Sequence, residues 1–163
     1  AALTMGISIG GTINSSTSIS VETTFSYDCE GADCETVATM FEEQGGVILN
    51  FSSAGGIQGY AGKAHYAASK GAVTAWVRSV AREWAPYNIR VNAIAPGYFR
   101  TEMNSDYFDT EHGQNYVRSK VPMARLGQLE ELDGPLLLLA SEAGSFMTGT
   151  IINVDGGHVN NSL

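Results

Sequence analysis

Hydrophobic positions along the chain follow two different periods. Residues 46–53, G-V-I-L-N-F-S-S, form a short β-branched apolar run opened by Gly45-Gly46. A run of this length without alternation reads as a strand buried on both faces of a parallel sheet. Residues 89–95, I-R-V-N-A-I-A, give a second strand ended by Pro96-Gly97. Residues 150–154, T-I-I-N-V, give a third, closed by Asp155-Gly156-Gly157. Between the first two the period lengthens. Val73, Trp76, Val77, Val80, Ala81 and Trp84 recur at steps of three and four, which predicts a helix over Ala64–Trp84, stopped by Pro86. Residues 129–140 are another helical candidate, with Gly134-Pro135 inside it predicting a kink or a split start. Residues 101–121 are polar and read as helical in pieces, and residues 54–62, with four glycines, as a loop.

Strands alternating with helical segments predict an α/β sheet with parallel strands. Ligands on such sheets sit beyond the carboxyl ends of the strands. The loops after Ser52-Ser53 and after Pro96-Gly97 both lie at such ends, so Ser53, Tyr66, Lys70 and the loop after Pro96 are expected to converge on one crevice.

Charge divides the chain into two zones. No lysine or arginine precedes Lys63, whereas Glu22, Asp28, Glu30, Asp33, Glu35, Glu42 and Glu43 all fall before it. The net charge of −8 argues against nucleic acid or an anionic membrane as the main partner. No apolar run approaches the ~20 residues of a membrane span. The opening residues carry no basic segment, so no signal peptide is expected. Cys29 and Cys34 have no neighbouring cysteine or histidine to complete a zinc site. They read as free thiols in a reducing cytoplasm, with a local disulfide as the alternative. Residues 14–26 are Ser/Thr-rich; Ile19, Val21 and Thr23 alternate with polar residues, as in an exposed strand or a linker.

The candidate chemistry lies at H-Y-A-A-S-K, residues 65–70. On a helix, Tyr66 and Lys70 share one face. A free phenol titrates near 10, too high to exchange a proton readily at neutral pH. An ammonium ~5 Å away, at an effective dielectric of ~20, favours the phenolate by roughly 3 kcal/mol. A hydroxyl such as that of Ser53 would donate where negative charge develops on a substrate oxygen. Hydride has no side-chain source and must come from a cofactor. His65 points about 100° away from Tyr66. His112 and His158 are isolated in sequence, and metal binding by them is not expected. Trp76, Trp84 and Val80 read as core or oligomer-interface residues.

Four segments together resemble the short-chain dehydrogenase/reductase family: G-G-V-I-L-N-F-S-S-A-G-G (45–56), Y-A-A-S-K (66–70), R-V-N-A-I-A-P-G-Y-F-R-T-E-M (90–103) and M-T-G-T-I-I-N-V-D-G-G (147–157). The spacing is the specific part: Tyr66 lies thirteen residues after Ser53, and Pro96-Gly97 thirty residues beyond Tyr66. The resemblance implies a Rossmann-like parallel sheet with flanking helices, truncated on its N-terminal side. It divides the chain into a divergent segment, 1–45, which could cover the sheet edge, and a family-like α/β region, 46–163. It implies NAD or NADP as cofactor, with Tyr66 as general acid or base. Lys70 would hold the nicotinamide ribose and tune Tyr66. Ser53 would bind the substrate oxygen, and Pro96, Gly97, Phe99 and Thr101 would contact the nicotinamide.

The family's glycine-rich turn, cofactor selector and catalytic asparagine have no clear counterparts here. A-L-T-M-G-I-S-I-G-G-T-I (2–13) echoes the turn only in Gly6 and Gly10, and F-S-Y-D-C (25–29) is the nearest region to the asparagine's helix. The expected function is NAD(P)-dependent interconversion of a hydroxyl and a carbonyl on a small molecule, by a cytoplasmic homo-oligomer. The alternatives are a catalytically inactive, truncated scaffold or interaction protein of the same origin, and an epimerase or dehydratase of related fold.

Overall fold

A computed structural model describes residues 10–11, 21–22, 40, 45–102 and 104–161. In the opening segment, β1 (Gly10–Gly11) pairs antiparallel with β2 (Val21–Glu22). The strand expected around Val21 is met there, whereas Ile19, Thr23, Cys29 and Cys34 lie outside the described residues.

The main sheet holds β3 (Gly46–Phe51), β4 (Ile89–Pro96) and β5 (Ile151–Val154), in that order and all parallel. Ile48 lies opposite Val91, and Ile94 opposite Ile152. β4 is central and almost wholly buried, which explains its apolar residues on both faces. Pro96 ends it, and the chain turns away as Gly97 N–H donates to Val154 O at 2.9 Å.

Successive residues of β4 face opposite layers. Ile89, Val91 and Ala93 meet Ile48, Trp76, Val77, Val80 and Ala81 in the main core, with Met40, Val73, Trp84 and Ile151 packed at its margin. The helical residues belong to α2 (Ala64–Trp84), which spans the predicted range. Trp76 and Trp84 pack edge to face at 6.1 Å. Trp76 is buried in this core and Trp84 packs against it. Beyond Trp84 a short 3-10 turn at Ala85–Tyr87 carries Pro86, and Asn88 takes a left-handed conformation, φ 57°, to enter β4.

Residues 54–62 are not simply a loop. Ala54–Gln58 form α1, a single turn and a half. Ser53 is extended and caps it, its Oγ accepting from Gly55 N at 3.1 Å. The glycine content that suggested a loop serves close approach instead. A Cβ on Gly56 would lie 2.6 Å from the Lys70 carbonyl carbon and 2.8 Å from Gly71 N.

The polar piece divides into α3 (Ser105–Phe108) and α4 (Glu111–Lys120), as expected. The split start after Leu129 is also met: a 3-10 turn, Leu129–Leu132, precedes α5 (Asp133–Ala140). Pro135 falls in the first turn of α5, where its missing N–H leaves no bond unmade. α5 packs against β3 and β4 opposite α2. Arg90 fastens its far end, donating to Leu139 O at 2.8 Å and Ser141 O at 3.2 Å.

Asn92 does the same for the entry to β5. It is fully buried; its amide donates to Met147 O at 2.8 Å and its carbonyl accepts from Thr150 N at 3.0 Å. Replacing Asn92 by Leu would strand both backbone groups, so urea denaturation should show a loss of about 2–4 kcal/mol. An unchanged midpoint would mean that the Asn92 bonds do not hold β5 in register.

Candidate active site

The site begins with how α2 is tied to the end of β3. Ser52 is buried; its hydroxyl donates to Lys70 O at 2.9 Å and pairs with Thr74 Oγ1, also at 2.9 Å. Both partners lie on α2, one turn apart. The tie fixes the axial position of the helix against the strand. Lys70 then reaches back to the strand, its Nζ donating to Phe51 O at 3.0 Å. An ammonium has three donors, so two N–H groups of Lys70 remain for other acceptors.

Tyr66 stands one turn before Lys70 on the same helical face and is 37% exposed. Ser53 is buried beside Ser52, its oxygen occupied by the Gly55 amide and its own hydrogen still available to a substrate oxygen. Phe51 lies opposite Ile94, so the ends of β3 and β4 stand side by side. Ser53, Lys70 and the Pro96-Gly97 corner therefore come to the same end of the sheet. Gly97 is pressed against Asp155, where a Cβ would sit 2.7 Å from the Asp155 Cα. Asp155 shapes the turn after β5, accepting from Gly157 N at 2.9 Å and Val159 N at 2.7 Å. Phe99 forms a bridge with Gly127, and Thr101 N donates to Asn104 Oδ1 at 2.9 Å.

Among the described residues, a larger and a smaller cavity lie at this end of the sheet. The larger, about 420 Å³, is walled by Tyr60, Tyr98, Tyr116 and His158, with Lys63 and Lys120 also lining it. The smaller, about 220 Å³, takes in Phe99, Asp155 and Gly156, with Tyr98 shared between the two. Ser53, Tyr66, Lys70 and Thr101 line neither of these two. Tyr60 links the larger one to Ser53, because its ring packs against Gly55, whose N–H donates to Ser53 Oγ.

The aromatic wall is one packed group. Tyr60 stacks on Tyr98 at 6.2 Å, Tyr98 lies 5.0 Å from His158, and the Tyr98 and Tyr116 hydroxyls are 3.1 Å apart. Burial, reinforced by the Tyr116 hydroxyl, raises the Tyr98 phenol far above the ordinary tyrosine value. Burial also raises Tyr60, against a smaller lowering by the Tyr98 hydroxyl. Both phenols therefore stay protonated at neutral pH. His158 is not isolated, as its sequence surroundings suggest, but buried. Its Nδ1 lies 2.9 Å from Lys120 O, which can only accept, so Nδ1 donates. Nε2 then accepts from the Gln58 side-chain amide at 2.8 Å.

A family model described as enoyl-(acyl carrier protein) reductase matches residues 4–159. The chain is 41% identical, over 123 residues, to a 3-oxoacyl-(acyl-carrier-protein) reductase of Thermotoga maritima, covering 76% of this chain and 49% of that protein. The chain belongs to the short-chain dehydrogenase/reductase family. A 2-dehydro-3-deoxy-D-gluconate 5-dehydrogenase of Dickeya dadantii is 40% identical over 125 residues, again 76% of this chain and 49% of the relative. Among solved structures, a gluconate 5-dehydrogenase from Burkholderia cenocepacia, in complex with NADP and tartrate, aligns with a TM-score of 0.73 at 35% identity. That alignment covers 77% of this chain and 49% of the other. The chain thus spans about half the length of the short-chain dehydrogenase/reductase relatives it matches.

Sequence reasoning missed the four aromatic residues of the large cavity. Tyr98 follows the Pro-Gly corner directly, and its position alone could have drawn attention to it. Tyr60, Tyr116 and His158 come from three separate segments with no shared spacing. The F-S-Y-D-C segment and most of residues 2–13 lie outside the described residues.

Two outcomes are expected. Gly56→Ala should push α1 off α2, costing about 1–3 kcal/mol by thermal or urea unfolding; an unchanged stability would show that the contact relaxes without cost. At the rim of the smaller cavity, Arg125 holds Glu131 bidentately at 2.7 and 2.8 Å. That pairing, with the Gln128 amide, lowers the Glu131 carboxyl from 4.5 to about 2. A depressed carboxyl stabilises the fold above its unfolded value and loses that contribution as pH falls towards its folded one. Side-chain carboxyl NMR should show Glu131 still ionised at pH 3; titration at the ordinary glutamate value would mean that the pair does not form in solution.

Proposed function

We propose that the protein is an NAD(P)-dependent oxidoreductase that interconverts a hydroxyl and a carbonyl on a small molecule. The observation that carries this reading is the tie at the end of β3. There Lys70 is anchored to Phe51 O, one helical turn from Tyr66, next to Ser53 and the Pro96-Gly97 corner. Its support among relatives is the gluconate 5-dehydrogenase structure, which holds NADP.

In this reading a bound nicotinamide nucleotide supplies or accepts the hydride. The residues that would hold its nicotinamide end are Tyr66, Lys70, Pro96, Gly97, Phe99 and Thr101. The donor set fits: Lys70 has two N–H groups beyond its bond to Phe51 O, suited to the paired hydroxyls of a ribose. Gly97 turns the backbone at a corner where no side chain fits. Ser53 donates its hydroxyl hydrogen to the substrate oxygen. Tyr66 gives that oxygen a proton in the reducing direction and takes one back in the oxidising direction. The ammonium of Lys70 on the same face favours the phenolate left behind.

The same reading places the protein in the cytoplasm as a homo-oligomer. Among the described helices none is long and apolar enough to cross a membrane. Leu137 and Phe146 are strongly exposed, and association could cover them.

Titration with NADH and NADPH, followed by nicotinamide fluorescence, tests cofactor binding directly. Tyr66→Phe should lower turnover on a panel of alcohols and ketones by about 10²–10⁴-fold, with circular dichroism and melting unchanged. Turnover untouched by this change, or a folded protein that binds neither nucleotide, would refute the reading.

A further inference from the structure

The larger cavity has an electrostatic character opposite to that of the chain. The protein carries 17 acidic against 9 basic residues. Yet the charged residues that line this cavity are Lys63 and Lys120, and no aspartate or glutamate lines it. Asp155, the acid that acts on Tyr60, is turned to the amides of Gly157 and Val159. His158 spends both ring nitrogens on Lys120 O and the Gln58 side chain. Two basic residues and no acidic one therefore border the cavity.

Its walls add a second feature. The stacked rings of Tyr60 and Tyr98 give flat apolar surface, and the phenols of Tyr60, Tyr98 and Tyr116 give hydroxyl groups. A neutral alcohol would use the hydroxyls but leave both ammonium groups to water. A carboxylate gains charge-assisted hydrogen bonds from them. A hydroxylated carbon chain gains from the phenols at the same time. At about 420 Å³ the cavity is at the small end of the ~300–1,000 Å³ range for ligand pockets.

We propose that this cavity selects a small hydroxy or oxo carboxylic acid, with Lys63 and Lys120 holding the carboxylate and Tyr60, Tyr98 and Tyr116 the hydroxylated chain. Calling this ligand the substrate rests on the oxidoreductase reading. The packing of Tyr60 on Gly55, which Ser53 caps, is what brings the ligand towards the reacting groups.

The test is calorimetric titration of the whole chain at low salt with D-gluconate and, separately, D-glucitol. These six-carbon probes differ only in the carboxylate. Gluconate should bind at least tenfold more tightly than glucitol. Lys120→Gln should weaken gluconate about tenfold and leave glucitol unchanged. This change spares the fold, because His158 and Asn161 bond to the Lys120 backbone carbonyl, not to its ammonium. Lys63→Gln is the second, independent variant and should act in the same direction. Equal affinity for the two probes, no binding of gluconate, or gluconate affinity untouched by both variants overturns the proposal. A parallel titration with NADH and NADPH separates the two readings. Nucleotide binding without carboxylate preference removes this proposal and leaves the oxidoreductase. Carboxylate-selective binding without nucleotide binding keeps the anion site and removes the oxidoreductase.

Discussion

A single buried hydroxyl, that of Ser52, governs the geometry on which the rest of the structure depends. It joins the end of β3 to two successive turns of α2. A helix packed on a sheet by apolar contacts alone can slide along its axis at little cost, because the hydrophobic effect has no direction. Hydrogen bonds do have direction. Those of Ser52 stop the sliding, and the Lys70 bond to Phe51 O draws the tie closed from the other side. Gly56 completes it by letting α1 touch the backbone of α2. The phenol of Tyr66 inherits its position from these contacts.

Polar groups also do the directional work on the other side of the sheet. β4 is central and nearly all apolar, yet Arg90 and Asn92 interrupt it. Both point away from the α2 core and bond backbone carbonyls at the end of α5 and in the segment that follows it. They place the final crossover, and with it the Asp155 turn against which Gly97 is packed. Among the described residues the far edge of β3 pairs with no strand. Unpaired edges of this kind invite another strand. That edge belongs with a chain that spans half the length of its relatives.

The large cavity shows how local charge can depart from the average. Before Lys63 the chain holds acids and no bases, and the whole molecule is strongly negative. The cavity nevertheless collects lysines from the start of α2 and the end of α4, together with aromatic rings from four segments. Net charge governs solubility and long-range attraction. It says little about a site a few ångströms across, where the backbone decides which side chains meet.

The sequence by itself determined the sheet strands, α2 and the parallel α/β class, because a 3.6-residue period, short apolar β-branched runs and proline stops are local properties of the chain. It also marked Ser53, Tyr66 and Lys70 as a set, since a helical step of four and a fixed distance from a strand end are readable in one dimension. It misjudged residues 54–62, where glycine signals either a flexible loop or close backbone contact, and only the presence of α2 decides between them. It overlooked the aromatic cavity for a related reason. Tyr60, Tyr98, Tyr116 and His158 share no period and no motif, and they meet only because β4, α4 and the turn after β5 end at the same side of the sheet. Which residues adjoin across separate elements is a property of packing, and no local pattern encodes it.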